Sequence, residues 1–495
     1  MRIQRQGRHL PQALHTAWYA IGHSSTHRGH RNTVKDRPPI SGSRAEEIAG
    51  VRPILQRVVA NAGMLLGGRT VNAVLSLAYV AIAARALGVA ELGVLVLIQA
   101  FTQFLGEVVK FQSWQTILHY GTRPLAEGRT VDFQRVLRFT LVLDLASTVL
   151  GIAIGVAGAI LLADRLGWTA SQAPAAALYM FSIAFMVSAT PLGLLRLFDR
   201  FDIMARQAAL IALLRVIGSG VALVLNAPME GFLLAWAVGT VGSWLYLAGS
   251  AHGELRKRGL TNGFSWRGPL DHDMPGVWKF AWNTNLASTL DVAFTHLATL
   301  IVGAIVGPAQ AAFWRVGRQV ADAIAKPAKL LIPALYPELA RLHSERRHVA
   351  MWRLARNVGL IAGGFGTALL AISALAGPAL LTTVMGRGFS PAADVMTWQV
   401  AAAVIGVFAL PLEPMLISLG KPGRAVRVRL VVSAAFLAIL PFLVTQFGLI
   451  GAGAGLVAAS AALALGMLFF MLRENGNRQD RAIVPPDPDS LKGDD

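Results

Sequence analysis

Cysteine is absent from all 495 residues, which excludes a disulfide framework, a thiolate nucleophile and any cysteine-based metal site. Acidic side chains are few: 27 Asp and Glu stand against 45 Lys and Arg, for a formal net charge of +18. Charged residues of both signs make up only 15% of the chain while hydrophobic ones reach 54%, too apolar a balance for an ordinary soluble protein of this length. Signatures of common enzyme classes are missing as well. There is no Walker phosphate loop, HExxH zinc helix, GxSxG elbow or EF-hand loop, so the sequence reads as a non-enzyme with no cofactor and no metal. The first fifty residues, rich in Arg, His, Ser and Gly, lack the apolar core of about 7 to 15 residues that a secretory signal needs. They read as a basic, disordered tail.

What the chain does have is apolar sequence in long runs. About twelve segments of membrane-spanning length can be placed, at 61–84, 92–112, 136–163, 173–196, 207–226, 230–251, 278–305, 309–337, 354–377, 392–419, 428–447 and 449–472. They predict an all-α integral membrane protein. Basic residues concentrate in alternate connections: Arg256, Lys257, Arg258 and Arg267 on one side, for example, against little beyond Arg85, Arg165 and Arg387 on the other. This positive-inside bias puts both termini in the cytoplasm. It also accounts for a basicity that would otherwise suggest nucleic acid, and nucleic acid is not expected as a partner.

A shift of about 219 residues brings similar features into register in the same order. Gly88 meets Gly307, Arg135 and Arg138 meet Arg353 and Arg356, Pro191 meets Pro411, and Gly231 meets Gly451. The pattern predicts two six-helix lobes related as parallel repeats. The expected organisation is a basic tail over 1–56, an N-terminal lobe over 57–252, a cytoplasmic linker over 253–277, a C-terminal lobe over 278–472 and a disordered cytoplasmic tail over 473–495.

Charge inside the apolar spans is the most informative signal. Arg315, Arg318, Asp322, Lys326 and Lys329 step by three and four residues, and at about 100° per residue they share one narrow face of a helix. Facing lipid, each central charge would cost about 2.5 to 3.5 kcal/mol, against about 0.3 to 0.6 returned by a Leu or Ile. The stripe must therefore face protein or water. The repeat shift carries it onto Gln99, Gln103, Glu107 and Lys110, and carries Arg69, Asn72 and Ser76 onto Ser288, Asp291 and Thr295. Polar faces from both halves would then line a central cavity: Arg69, Asn72, Ser76, Gln103, Glu107 and Lys110 from one, Asp291, Thr295, Arg315, Arg318, Asp322, Lys326 and Lys329 from the other. Cations outnumber anions, so an anionic ligand is expected.

Plainer readings stand beside this one. Asp322 can neutralise Arg318 or Lys326 at i±4, and Glu107 can pair with Lys110. Asp144 and Arg215 can serve as packing contacts between helices, His296 as an interface histidine, and Glu413 as a cap between Pro411 and Pro414. Pro327, Pro333 and Pro337, like Pro411 and Pro414, would bend or break their helices.

Several short motifs in order carry a family resemblance. Ala84-Arg85-Ala86-Leu87-Gly88 followed by Glu91-Leu92-Gly93, Pro191 with Leu194-Leu195-Arg196-Leu197-Phe198-Asp199-Arg200-Phe201, the Val306-Gly307-Pro308 corner, Pro337-Glu338-Leu339-Ala340 and Leu419-Gly420-Lys421 resemble the bacterial polysaccharide (O-antigen type) flippases. These belong to the multidrug/oligosaccharidyl-lipid/polysaccharide exporter superfamily, and the likeness covers about 57–472. It implies a V-shaped, alternating-access pair of lobes in the bacterial inner membrane. The implied cargo is an undecaprenyl-diphosphate-linked oligosaccharide for O-antigen, capsule or exopolysaccharide. On that reading Arg315, Arg318, Lys326 and Lys329 would pair with the diphosphate, and Asn72, Ser76, Gln103 and Thr295 would bond sugar hydroxyls. Membrane lipid, a coupling ion and polysaccharide polymerase or assembly proteins are the further partners it raises. The rivals are a multidrug exporter of the same superfamily, which should favour acidic cavity residues, and a membrane glycan polymerase or ligase, which would need a larger external loop.

Overall fold

The computed structural model describes the backbone of residues 43–483 except 271–273, 330 and 346, and the side chains of 74–473 except those positions and 286–295, 327, 333 and 334. Among the described residues every regular element is helical, as expected where a bilayer core offers backbone groups no water to bond. Eight stretches among the described residues are each long and apolar enough to cross a membrane. The first helix, α1 (Ser43–Val109), bends at Gly88; α2 (Ser113–Ala126) and α3 (Thr130–Leu161) follow. Short pieces come next: α4 (Ala163–Leu166), α5 (Ala173–Met180), α6 (Ile183–Met186) and α7 (Ala189–Leu197). Then α8 (Phe201–Val224) and α9 (Met229–Lys257) close the first half. The second half runs α10 (Val277–Val306), α11 (Pro308–Lys329), α12 (Ile332–Ser344), α13 (His348–Met385), α14 (Ala392–Phe408), α15 (Leu412–Ser418) and α16 (Pro422–Ile483), the last bent at Gly448.

Each expected segment falls on helical chain, but three are interrupted. The segment 309–337 divides between α11 and α12, whose first turn carries a proline that lacks the N–H needed to continue a helix. The segment 392–419 divides at Pro411, which caps α15, and 173–196 divides into α5, α6 and α7. Residues 1–42 and 484–495 of the two expected tails lie outside the described residues. Within those tails, α1 begins at Ser43 and α16 runs on to Ile483.

Backbone conformation repeats along the chain with the spacing seen in the sequence. Gly88 (φ 72, ψ −173) and Gly307 (φ 92, ψ 170) turn the two corresponding hairpins, 219 positions apart. Gly167 (φ 93) and Gly386 (φ 107) repeat at the same spacing, and Asp199 (φ 57) corresponds to Gly420 (φ 75) at 221. These corners need left-handed or mirror-region backbone, which glycine adopts freely and Asp tolerates.

The two halves share one apolar core at the hairpin end, where Leu92, Leu95 and Leu97 pack with Ala312, Phe313, Trp314 and Met396. Contact there is at backbone distance: a Cβ added at Gly93 would stand 2.0 Å from the carbonyl oxygen of Pro308. Arg85 bridges the same end, its Nε donating to the carbonyl of Val384 at 3.0 Å and its Nη2 to that of Thr383. Toward the other end the core separates. Leu137, Leu194 and Leu255 pack in the first half, and Leu335, Leu339 and Met415 in the second. The start of α10 is an exception, since Val277 and Ala281 pack on Val136 and Phe139 of α3.

Candidate functional site

Packing on one side of α11 decides where its charges point. Ala311, Ala312, Trp314, Val316 and Ala321 are buried, and Gly317 lets the helix press on α14, where an added Cβ would lie 2.9 Å from Cα of Met396. Gln399 of α14 donates from Nε2 to the carbonyl of Trp314 at 3.1 Å. With that face fixed, the opposite one meets α1 and α8 across a cavity of about 220 Å³. Its walls are Ser76 and Tyr79 from the first arm of α1, Gln103 from the second, Ile211, Ala212 and Arg215 from α8, and Arg315, Gln319, Asp322 and Lys326 from α11.

The lining therefore holds three cations and one carboxylate. Arg215 is 8% exposed. It donates to Tyr79 Oη at 3.3 Å and Thr240 Oγ1 at 3.0 Å, and stands 5.5 Å from the Tyr79 ring centre and 5.9 Å from that of Trp236. Its Nε has no acceptor among the described residues, and no carboxylate there pairs with it. Arg315 and Lys326 likewise have no ion-pair partner among the described residues. Asp322 is engaged from outside the cavity by Arg318, with Nε to Oδ1 at 3.3 Å. Across the space, Gln319 Nε2 donates to Ser76 Oγ at 3.1 Å, linking the two halves. A buried cation without a counter-charge is costly, and with half-buried Arg315 and exposed Lys326 beside buried Arg215 this space favours an anion. Guanidinium forks suit phosphate oxygens, an ammonium adds a point charge, and the hydroxyl and amide groups suit sugar hydroxyls.

Of the residues singled out from sequence, Ser76, Gln103, Arg315, Asp322 and Lys326 meet at this cavity. Arg318 reaches it only through Asp322, and exposed Lys329 does not line it. Glu107 and Lys110 lie elsewhere, paired with each other at 2.7 Å. The side chains of Arg69, Asn72, Asp291 and Thr295 lie outside the described residues. Tyr79 and Gln319 escaped the sequence reading although both were within reach: Tyr79 is one turn from Ser76, and Gln319 sits within the charged stripe. Arg215 looked isolated because its neighbours come from other helices. Among the described residues no group of three His, Asp or Glu side chains gathers as a metal site.

Residues 58–343 match the family described as polysaccharide biosynthesis protein. Inner membrane protein YghQ of Escherichia coli (strain K12) is 34% identical over 341 residues, covering 68% of this chain and 95% of that protein. Among solved structures, an inward-facing multidrug resistance MATE family transporter of the MOP superfamily superposes with a TM-score of 0.65 at 14% identity, over 83% of this chain and 96% of that one. The lipid II flippase MurJ, in an inward closed conformation, superposes at 0.65 and 12% identity, over 81% and 85%. At such identities the likeness to solved structures speaks to fold, whereas the family match spans more than half of the sequence. The chain belongs to the polysaccharide biosynthesis protein family and has the all-helical membrane fold of MOP superfamily transporters.

Proposed function

We propose that this protein flips an undecaprenyl-diphosphate-linked oligosaccharide across the bacterial inner membrane by alternating access, as a transporter and not an enzyme. The observation that carries the reading is the cavity between α1, α8 and α11, where Arg215, Arg315 and Lys326 face a single carboxylate already held by Arg318. A diphosphate diester bears one negative charge on each phosphate, and the three lining cations, left unpaired because Asp322 is held by Arg318, suffice to meet both. Near a protein surface each opposite-charge pair at about 4 Å contributes about 4 kcal/mol before desolvation. Ser76, Tyr79, Gln103 and Gln319 supply hydrogen bonds for the first sugars. A multidrug exporter for organic cations would gain little from this lining.

The positive-inside bias puts the Gly88 and Gly307 corners on the periplasmic side. Two six-helix lobes joined at those corners and parted toward the cytoplasm would receive cargo from the cytoplasmic leaflet. Rocking about the joined end would then re-expose the cavity outside. The test is delivery of lipid-linked glycan to the outer leaflet, measured in cells expressing only the variant of interest. Replacing Arg315 and Lys326 together by Ala should leave expression and insertion intact and reduce delivery at least tenfold. Full delivery by a well-expressed double variant would refute the reading.

A further inference from the structure

A hollow of about 690 Å³ lies apart from the cationic cavity, on the side of the first half formed by α3, the α6–α7 break and α9, with Leu141, Leu145, Phe185 and Ala248 among its walls. The two cavities share no residue. Most of the walls belong to stretches long and apolar enough to cross a membrane, so in a bilayer the groove would open toward hydrocarbon. Two features at one end distinguish it from an ordinary lipid-facing crevice.

A strap is the first. The chain leaving α9 folds back over α3 and puts Leu260, Phe264 and Trp266 into the groove wall. Two buried side chains of α3 hold it there. Gln134 Nε2 donates to the carbonyls of Leu260 at 2.9 Å and Asn262 at 2.8 Å, and Arg138 donates to those of Ser265, Arg267 and Pro269. An amide and a guanidinium directed at one loop fix where its aromatic rings stand. Charge at the mouth is the second. Arg256 follows the groove-lining His252 by one turn of α9, and Arg267 follows the groove-lining Trp266 in the strap, where it lines a neighbouring hollow with Arg135 and Arg138; both Arg256 and Arg267 are exposed with no side-chain partner among the described residues. Trp266, beside Arg267, is 62% exposed. Exposed Trp with unpaired cations is the combination that meets lipid headgroups.

We propose that this groove binds one acyl chain of an anionic glycerophospholipid, with the lipid phosphate against Arg256 and Arg267 and the chain running beneath Phe264 and Trp266. The cargo's own lipid tail is the poorer occupant. Its phosphates belong in the central cavity, lined from α1, α8 and α11, whereas the cations beside the groove stand on the end of α9 and on the strap. A bound lipid would tie the strap, and with it the connection between the halves, to the first half. On the topology proposed above, this site faces the cytoplasmic leaflet.

The test is thermal unfolding of the full chain, delipidated in mild detergent and then supplied with phosphatidylglycerol or phosphatidylcholine. Phosphatidylglycerol should raise the unfolding temperature at least twice as much as phosphatidylcholine. Ala248→Trp, which plugs the groove, should abolish the rise. Arg256→Glu with Arg267→Glu should erase the preference while keeping the smaller phosphatidylcholine response. Equal responses of wild type and Ala248→Trp to phosphatidylglycerol would overturn the proposal, as would an equal effect of the two lipids on wild type, or displacement of phosphatidylglycerol by a polyprenyl phosphate. Should Ala248→Trp fail to fold, the charge-reversed variant decides alone, and a retained preference counts against the site.

Discussion

Arg215 carries the sharpest consequence at the level of single residues. It is buried among Tyr79, Thr240 and Trp236 without a carboxylate among the described residues, so its charge serves no internal pair. Replacing an uncompensated buried charge by an apolar side chain is often neutral or stabilising. Arg215→Leu should therefore keep or raise the unfolding temperature in detergent while lowering glycan delivery at least tenfold, and a parallel loss of both would make Arg215 a packing residue. The Glu107–Lys110 pair differs in kind. Each side chain satisfies the other at 2.7 Å, away from the cavity. Spacing alone could not separate these cases, because a charged residue three positions from an opposite one looks the same whether it faces its neighbour or a ligand.

Breaks and crossings matter more than regular turns at the level of elements. Asp144, isolated on α3 in the sequence, accepts from Ser113 Oγ at 2.6 Å and from the backbone N–H of Thr190 at 2.9 Å, so one carboxylate satisfies a backbone donor in the first turn of α7 and ties it to the first residue of α2. Asp144→Ala would orphan both donors at about 1 to 3 kcal/mol each, and should lower the unfolding temperature by several degrees in a detergent melt. No change would mean that water replaces the carboxylate. The Gly93–Pro308 crossing makes a second case. With 2.0 Å available for a Cβ, Gly93→Leu must push the two hairpins apart. Spin labels on the hairpin ends of the two halves, beside Gly88 and Gly307, should then report a longer distance by electron paramagnetic resonance, and an unchanged distance would mean that the shared core is not the pivot.

The sequence makes the whole-molecule plan legible because membrane physics is stringent: long apolar runs can only be helices, and Gly88 and Gly307 mark corresponding corners before any coordinates are seen. The break between α11 and α12 and the one at Pro411 are foreshadowed by prolines, and Pro191 stands in the first turn of α7 at the break after α6, while the break between α5 and α6 has no such marker. Half of the cavity was also readable, since Arg315, Asp322 and Lys326 lie on one periodic face. The rest was not, because Arg215 and Tyr79 reach the site by helix packing between segments about 136 positions apart, which no local period encodes. The account as a whole depends on the α11 cations gripping a diphosphate. Its most direct test is binding of a short-chain polyprenyl-diphosphate sugar to the purified protein, titrated for wild type and for Arg315→Ala with Lys326→Ala. The account predicts saturable binding weakened at least tenfold in the double variant and competed by inorganic pyrophosphate; equal binding by both proteins, indifferent to pyrophosphate, would contradict it.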